Sequence, residues 1–142
     1  MIRALLRKFR HGLKDESGSD AVTFVLVIPL FMLIFALMVT FSQIIYAGSV
    51  CMNAANVGCR SAIVQQSKSA AASSAFDAAN VYLSKSGMGV AFASDALTSD
   101  GGWSRGNVCT YAVTVSVRTI VPLNTFNREY RITKYCPMII ER

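Results

Sequence analysis

The strongest constraint in this sequence is the absence of charge between Asp20 and Arg60. Within that interval the residues from 21 to 47 are almost all apolar. A helix rises ~1.5 Å per residue, and about 20 apolar residues cross the hydrocarbon core of a bilayer. The sequence therefore predicts a membrane-spanning helix over about 21–47.

A cleaved secretory signal peptide is the alternative, because a basic stretch precedes the apolar run. The apolar core of such a peptide is usually about 7–15 residues long, so this longer run favours an anchor. Only Arg60 follows the span closely, whereas several cations precede it, namely Arg3, Arg7, Lys8, Arg10 and Lys14. Because cationic flanks stay in the cytoplasm, we predict a single-pass inner-membrane protein with its carboxyl terminus in the periplasm.

The first 18 residues form a basic arm with apolar residues at helical spacing. These apolar residues are Ile2, Leu5, Leu6, Phe9 and Leu13. The pattern favours a short amphipathic helix on the anionic inner leaflet. Nucleic acid is the alternative partner for a basic arm, but the neighbouring span favours membrane lipid, and we expect no nucleic-acid binding.

At 142 residues, the chain has room for one anchor and one exported domain of roughly 90 residues. We expect the first helix to run over 19–66 and to bend at Pro29, where a backbone hydrogen bond is lost. Small residues share one face of its outer half, namely Ala47, Cys51, Ala54, Ala55, Gly58 and Ala62. This face predicts packing on the chain's own domain, with a dimer contact as the alternative.

Beyond Lys68 an alanine-rich stretch predicts a second helix that stops at Gly87. Glycine, serine and aspartate then dominate up to Asn107, which indicates a loop with one short strand over 90–93. Trp103, the single tryptophan, lies in this loop. We expect it to cover the edge of the domain, with an exposed partner contact as the alternative.

From Val108 to Arg118 apolar and polar residues alternate, which predicts a half-buried strand. Pro122 and Asn124 indicate a turn, and 128–138 reads as a second strand whose apolar side is interrupted by Lys134. The two strands predict an antiparallel hairpin or small sheet laid against the first helix. The fold class is therefore α+β.

Four cysteines, Cys51, Cys59, Cys109 and Cys136, lie on the predicted outer side, where an oxidising compartment permits disulfides. Cys51 and Cys59 are eight residues apart on one helix, so their α-carbons are about 12 Å apart, beyond the ~7 Å limit for a disulfide. Two connectivities remain, and each joins the helix to both strands. Pairing Cys51 with Cys136 and Cys59 with Cys109 is slightly favoured.

A zinc site is the alternative use of these cysteines, but the sequence has no Cys-x-x-Cys pair and its only histidine is His11, in the basic arm. The exported part also has few carboxylates, and these are scattered: Asp77, Asp95, Asp100, Glu129 and Glu141. Nucleophilic catalysis needs a base within hydrogen-bond reach of the nucleophile. We therefore expect no enzymatic activity, no catalytic residue, no metal and no cofactor.

The segment ESGSDAVTFVLVIPLFMLIFALM resembles the amino-terminal signature of the TadE/TadF-like minor pseudopilins of tight-adherence (Flp) pilus systems. In that family a basic leader ends in glycine, and four residues, a glutamate, an aromatic residue or alanine, and a proline-containing apolar run follow. Gly18, Phe24 and Pro29 fit this pattern. The tail, with VTVSVRTIVPL and MIIE, is weakly similar to the family as well.

The resemblance implies a pilin-like fold and three regions. Residues 1–18 would be a leader that a prepilin peptidase removes between Gly18 and Ser19, 19–66 the long helix, and 67–142 a disulfide-stapled exported domain. The implied function is a non-enzymatic subunit of a type IV pilus used in surface adhesion or secretion. Implied partners are the prepilin peptidase, other minor pilins, the major pilin and an inner-membrane assembly platform.

The sequence departs from the family pattern at Thr23, which occupies the glutamate position, while Asp20 lies three residues earlier. In pilin-like assemblies that carboxylate neutralises the terminal amine of a neighbouring subunit, where an unpaired buried charge is costly. Thr23 predicts a minor subunit that primes or caps the filament rather than the repeating one. The alternative is an unprocessed, membrane-anchored periplasmic assembly or binding factor of an envelope machine.

Overall fold

A computed structural model describes residues 16–87, 89–119 and 129–141. Two helices are followed by three antiparallel strands in the sheet order β1-β2-β3. The elements are α1 (Glu16–Ile63), α2 (Lys68–Ser86), β1 (Val90–Ser99), β2 (Val108–Arg118) and β3 (Glu129–Ile139). This architecture confirms the α+β, pilin-like expectation. The predicted amphipathic arm and the predicted turn at Pro122 and Asn124 lie outside the described residues.

The chain divides into two compact units, one up to Val39 and one from Thr40 onward. In the first unit α1 contains Pro29 and exposes large apolar side chains, among them Phe24, Leu26, Phe31 and Met32. By length and composition the helix over Thr23–Ile63 can cross a membrane, and 6% of its most apolar window is buried. A core helix of a soluble protein would be mostly buried, so the exposure indicates a membrane anchor.

In the second unit the small-residue face of α1 is buried. All six of its members are inaccessible to solvent: Ala47, Cys51, Ala54, Ala55, Gly58 and Ala62. They form one core with α2 and with the inner face of the sheet. The small-residue face therefore packs on the chain's own domain, as the sequence predicted. The helix ends at Ile63, three residues before the predicted end, and a turn follows in which Gln65 N donates to Ala62 O.

α2 begins at a serine cap and lies very close to α1. The Ser67 hydroxyl accepts a hydrogen bond from Ala70 N, and Gly87 ends the helix with a φ of 64°, which favours glycine. Between the two helices, Ser61 Oγ donates to Ser74 O at 3.0 Å, and Ser74 Oγ donates to Ser61 O at 3.4 Å. Such reciprocal side chain to backbone bonds require close backbones, which the small residues allow.

β2 is the central strand, and its alternation matches the sequence prediction. Its inward side chains are all buried: Cys109, Tyr111, Val113, Val115 and Val117. β3 pairs with β2 in a register that places Cys136 opposite Tyr111 and Lys134 opposite Val113. The predicted hairpin is confirmed, with β3 one residue later than expected.

β1 is the main difference from the sequence prediction, which gave a short strand over 90–93 and then loop. The strand runs to Ser99, and a register shift between Phe92 and Ser94 moves its alternation by one residue. Phe92, Asp95 and Leu97 are half-buried as a result, although they do not follow a period of two. Phe92 packs edge-on against Phe76 of α2, with ring centroids 5.2 Å apart.

The connection between β1 and β2 is held by two side chains. Trp103 is half-buried, and its indole Nε1 donates to Gln65 O at 2.9 Å, which satisfies a carbonyl just beyond the end of α1. Asn107 Nδ2 donates to Gly101 O, Gly102 O and Ser104 Oγ. Trp103 therefore covers the edge of this unit, as the sequence predicted.

We expect Gly58→Ala to destabilise the second unit. A Cβ at this position would meet Tyr111 Cε1 and lie 2.9 Å from Tyr111 Cδ1 and 3.0 Å from Ala75 O. The ring and the α2 backbone would both have to move. Overpacking of this kind lowers the free energy of unfolding by about 1–3 kcal/mol. Urea unfolding of the full chain in detergent micelles, followed by tryptophan fluorescence, measures the change.

Gly48→Ala is the matched control, because a Cβ on Gly48 has no heavy atom within 4 Å. In a helix that change stabilises by about 0.5–1 kcal/mol. Equal unfolding midpoints for the two variants would contradict the described contact between Gly58 and Tyr111.

Candidate functional site

The predicted processing position lies near the beginning of α1. Gly18, Ser19 and Asp20 belong to the helical backbone, which begins at Glu16. The structure describes side chains from Thr23 onward. Cleavage between Gly18 and Ser19 stays a prediction.

Thr23 follows Asp20 by three residues along α1. Its side chain is exposed, as are those of Phe24 and Val25. The site of the family glutamate is thus on a solvent-accessible or lipid-accessible surface of the isolated chain. Pro29 lies six residues further along the same helix, and the bend predicted there stays a prediction.

Three of the four cysteines meet where α1 crosses β2 and β3. Cys59 Sγ lies 3.7 Å from Cys109 Sγ and donates a hydrogen bond to Cys136 O at 3.3 Å. Cys136 Sγ in turn donates to Asn56 Oδ1 at 2.8 Å. All of these thiols are buried and free in the structure. Of the two predicted pairs, the structure brings Cys59 and Cys109 together.

Cys51 lies in another part of the same interface. Its Sγ donates to Val113 O at 3.2 Å and to Ile132 O at 3.5 Å. Val113 pairs with Lys134, two residues before Cys136 on β3. The structure therefore gives Cys51 backbone carbonyl partners, and its pairing with Cys136 stays a prediction.

Burial raises the pKa of the Cys109 thiol above its ordinary value of 9.0. The hydrogen bond with Cys59 lowers this pKa and the charge of Cys136 raises it, but both effects are smaller than that of burial. Cys109 is therefore protonated at neutral pH. Because the thiolate is the nucleophile, folding protects this group from reaction.

Tyr111, which is buried, and Asp95, which is half-buried, form a polar pair that sequence reasoning missed. The Tyr111 hydroxyl donates to Asp95 Oδ2 at 2.9 Å, and the Tyr111 side chain is fully buried. Burial raises the pKa of Tyr111, and the Asp95 carboxylate raises it further. Tyr111 was expected on the inward side of β2, but Asp95 was assigned to a loop. Only the register shift in β1 brings the carboxylate to the ring.

Across residues 16–87, 89–119 and 129–141, no three histidine, cysteine, aspartate or glutamate side chains form a group that could hold a metal ion. The polar side chains of the second unit hold elements together. Tyr46, for example, donates from its hydroxyl to Ser86 O at 3.0 Å and so ties α1 to the last residue of α2. Such bonds stabilise the packing of the second unit.

Comparison with known families gives a match to the family described as TadE-like protein, over residues 18–60. The matched segment lies within α1 and covers less than a third of the chain. It confirms the resemblance found in the sequence motif. Comparisons with curated proteins and with solved structures give no match.

We expect the stability of the reduced protein to fall as pH rises above about 10. The pKa of Tyr111 is raised in the folded state from its ordinary value of 10.0, so above pH 10 the unfolded chain releases a proton that the folded chain keeps. Unfolding is then favoured, by up to about 1.4 kcal/mol per pH unit for this group. Below pH 10 the Tyr111 hydroxyl is protonated in both the folded and the unfolded state. This group then adds nothing to the pH dependence of stability.

Tyr111→Phe is the test, with unfolding free energies of both proteins measured in urea from pH 8 to 11 under a reducing agent. The unfolding free energy of the wild type minus that of the variant should be constant up to about pH 10. It should then decrease, because only the wild type carries this phenol. A difference that does not change with pH would refute the assignment.

Proposed function

We propose, from the premise that residues 18–60 form a TadE-like segment, that this chain is a minor pilin that primes or caps a tight-adherence pilus. A TadE-like segment is typical of pilin-like proteins associated with such pili. The observation that carries the proposal is that the matched segment is one apolar helix, α1, whose large side chains are exposed in the isolated chain. Lipid covers such a surface before assembly, and neighbouring helices cover it in a filament.

The second unit supports a structural role. The outer half of α1 packs in the core of the second unit through Gly58, Ser61 and the other small residues. The small-residue face of this half is therefore buried within the chain, whereas the large apolar side chains of the first half are exposed. Association with other subunits would then use the apolar half of α1, as the spine of a helical bundle. The proposed partners are other minor pilins, the major pilin, the prepilin peptidase and the assembly platform.

Thr23 supports a minor rather than a repeating subunit. A hydroxyl cannot neutralise the terminal amine of a neighbouring subunit as a carboxylate does, and an unpaired charge in an apolar bundle is costly. In a repeating subunit, the terminal amine of a neighbour has to be neutralised at every step of the filament. A subunit placed once, at an end or in an initiating complex, has no such neighbour on one side.

Leader removal is tested by intact mass of the protein from the producing cell. We expect the wild type to lack residues 1–18 and Gly18→Ala to retain them, because glycine is the residue that ends the leader in the family pattern. Gly48→Ala, which changes a glycine elsewhere in α1, should be processed like wild type. A wild-type protein of full mass would support the unprocessed membrane-anchored factor instead.

The minor role is tested by copy number. In purified filaments we expect the chain at well below one copy per ten major subunits, and its deletion should reduce the number of filaments rather than their thickness. Quantitative peptide mass spectrometry and electron microscopy give the two readings. A one-to-one ratio with the major subunit, or normal filament numbers after deletion, would refute the proposal.

A further inference from the structure

The crossing of α1 over the sheet places two thiols at a distance from which a disulfide can form. Cys59 Sγ and Cys109 Sγ are 3.7 Å apart, and a disulfide needs about 2.05 Å, so side-chain adjustments of less than 2 Å close the bond. The two residues are 50 positions apart in the chain. A cross-link here joins α1 to the central strand and encloses α2 and β1 in one covalent loop.

Cys136 is the competing partner, and its hydrogen bond favours the thiol form. The Cys136 S–H group donates to Asn56 Oδ1 at 2.8 Å. A disulfide sulfur has no proton to donate, so oxidation of Cys136 would leave the Asn56 oxygen without this bond. Oxidation of Cys59 and Cys109 removes their own S–H contact and the bond from Cys59 Sγ to Cys136 O, which at 3.3 Å is longer than the 2.8 Å bond from Cys136 Sγ to Asn56 Oδ1.

Cys51 is too far along α1 to share the cluster. Eight residues of helix separate it from Cys59, which is about 12 Å. On β2 its partner Val113 is four residues, or about 13 Å, from Cys109. The distance from Cys51 to Cys59 along α1 thus matches the distance from Val113 to Cys109 along β2. As a result Cys51 contacts backbone carbonyls, whereas Cys59 contacts Cys109.

We propose that the mature protein carries one disulfide, Cys59 to Cys109, and that Cys51 and Cys136 stay thiols. The bond forms by exchange with a disulfide-bearing oxidant of the exported compartment. The two thiols lose two protons and two electrons, and the oxidant's disulfide is reduced to two thiols. Because both groups are buried once α1 has packed, the exchange takes place while the second unit folds.

Mapping of the wild-type protein from the producing cell tests this. Free thiols are alkylated with N-ethylmaleimide in denaturant, and the protein is cut with cyanogen bromide after Met52 and with trypsin after Arg60 and Arg118. These cuts separate all four cysteines. We expect two alkyl groups, on Cys51 and Cys136, and one cross-linked pair of fragments that contain Cys59 and Cys109. Reduction before alkylation should give four alkyl groups and no cross-link.

Cys51→Ser and Cys136→Ser are matched controls, because a serine hydroxyl can still donate to the same acceptors. Each should keep the cross-link and carry one alkyl group. A disulfide that includes Cys51 or Cys136, or four alkylated cysteines without prior reduction, would overturn the proposal. These outcomes are independent of leader removal and of copy number, so the proposed function stands or fails separately.

Discussion

The structure depends on one helix that meets two different packing requirements along its length. Where α1 exposes its surface, the side chains are large and apolar, as at Phe24 and Phe31. From Ala47 onward the side chains on one face become small, and both α2 and the sheet lie directly on that face. Large residues maximise contact with lipid or neighbouring helices, whereas small ones allow backbones to approach. The change in side-chain size along α1 therefore separates an exposed apolar surface, which we propose for assembly, from a buried surface used in folding.

The same small face explains where the thiols lie. Cysteine is close in size to alanine and serine, so Cys51 and Cys59 fit the buried small-residue face beneath the sheet. The contacts of each thiol depend on its position along the sheet: Cys51 contacts backbone carbonyls, and Cys59 contacts a second thiol. Packing thus selects small residues, and the register of the sheet decides which of them can cross-link.

Sequence patterns predicted the elements with regular periodicity and missed those whose geometry depends on a distant partner. α1, α2, β2 and β3 follow from uninterrupted helical or alternating patterns, and their observed bounds differ from the predicted ones by at most three residues. β1 was cut short because its register shift hides the alternation, and with it the contact between Asp95 and Tyr111 was lost. The cysteines were identified as candidates, but two connectivities remained open. Only the position of α1 on the sheet distinguishes the neighbours of Cys51 from those of Cys59.

A shared helix also has a mechanical consequence. Because α1 supplies core residues from Ala47 to Ile63, a force that draws its apolar half out of a membrane acts directly on the core of the second unit. The sheet is attached to α1 by side-chain packing and by single hydrogen bonds, such as that from Cys51 to Val113. Those contacts are non-covalent, whereas the proposed covalent bond at Cys59 would fix one point of β2 to one point of α1. The proposed disulfide would therefore hold the register between helix and sheet under such a force.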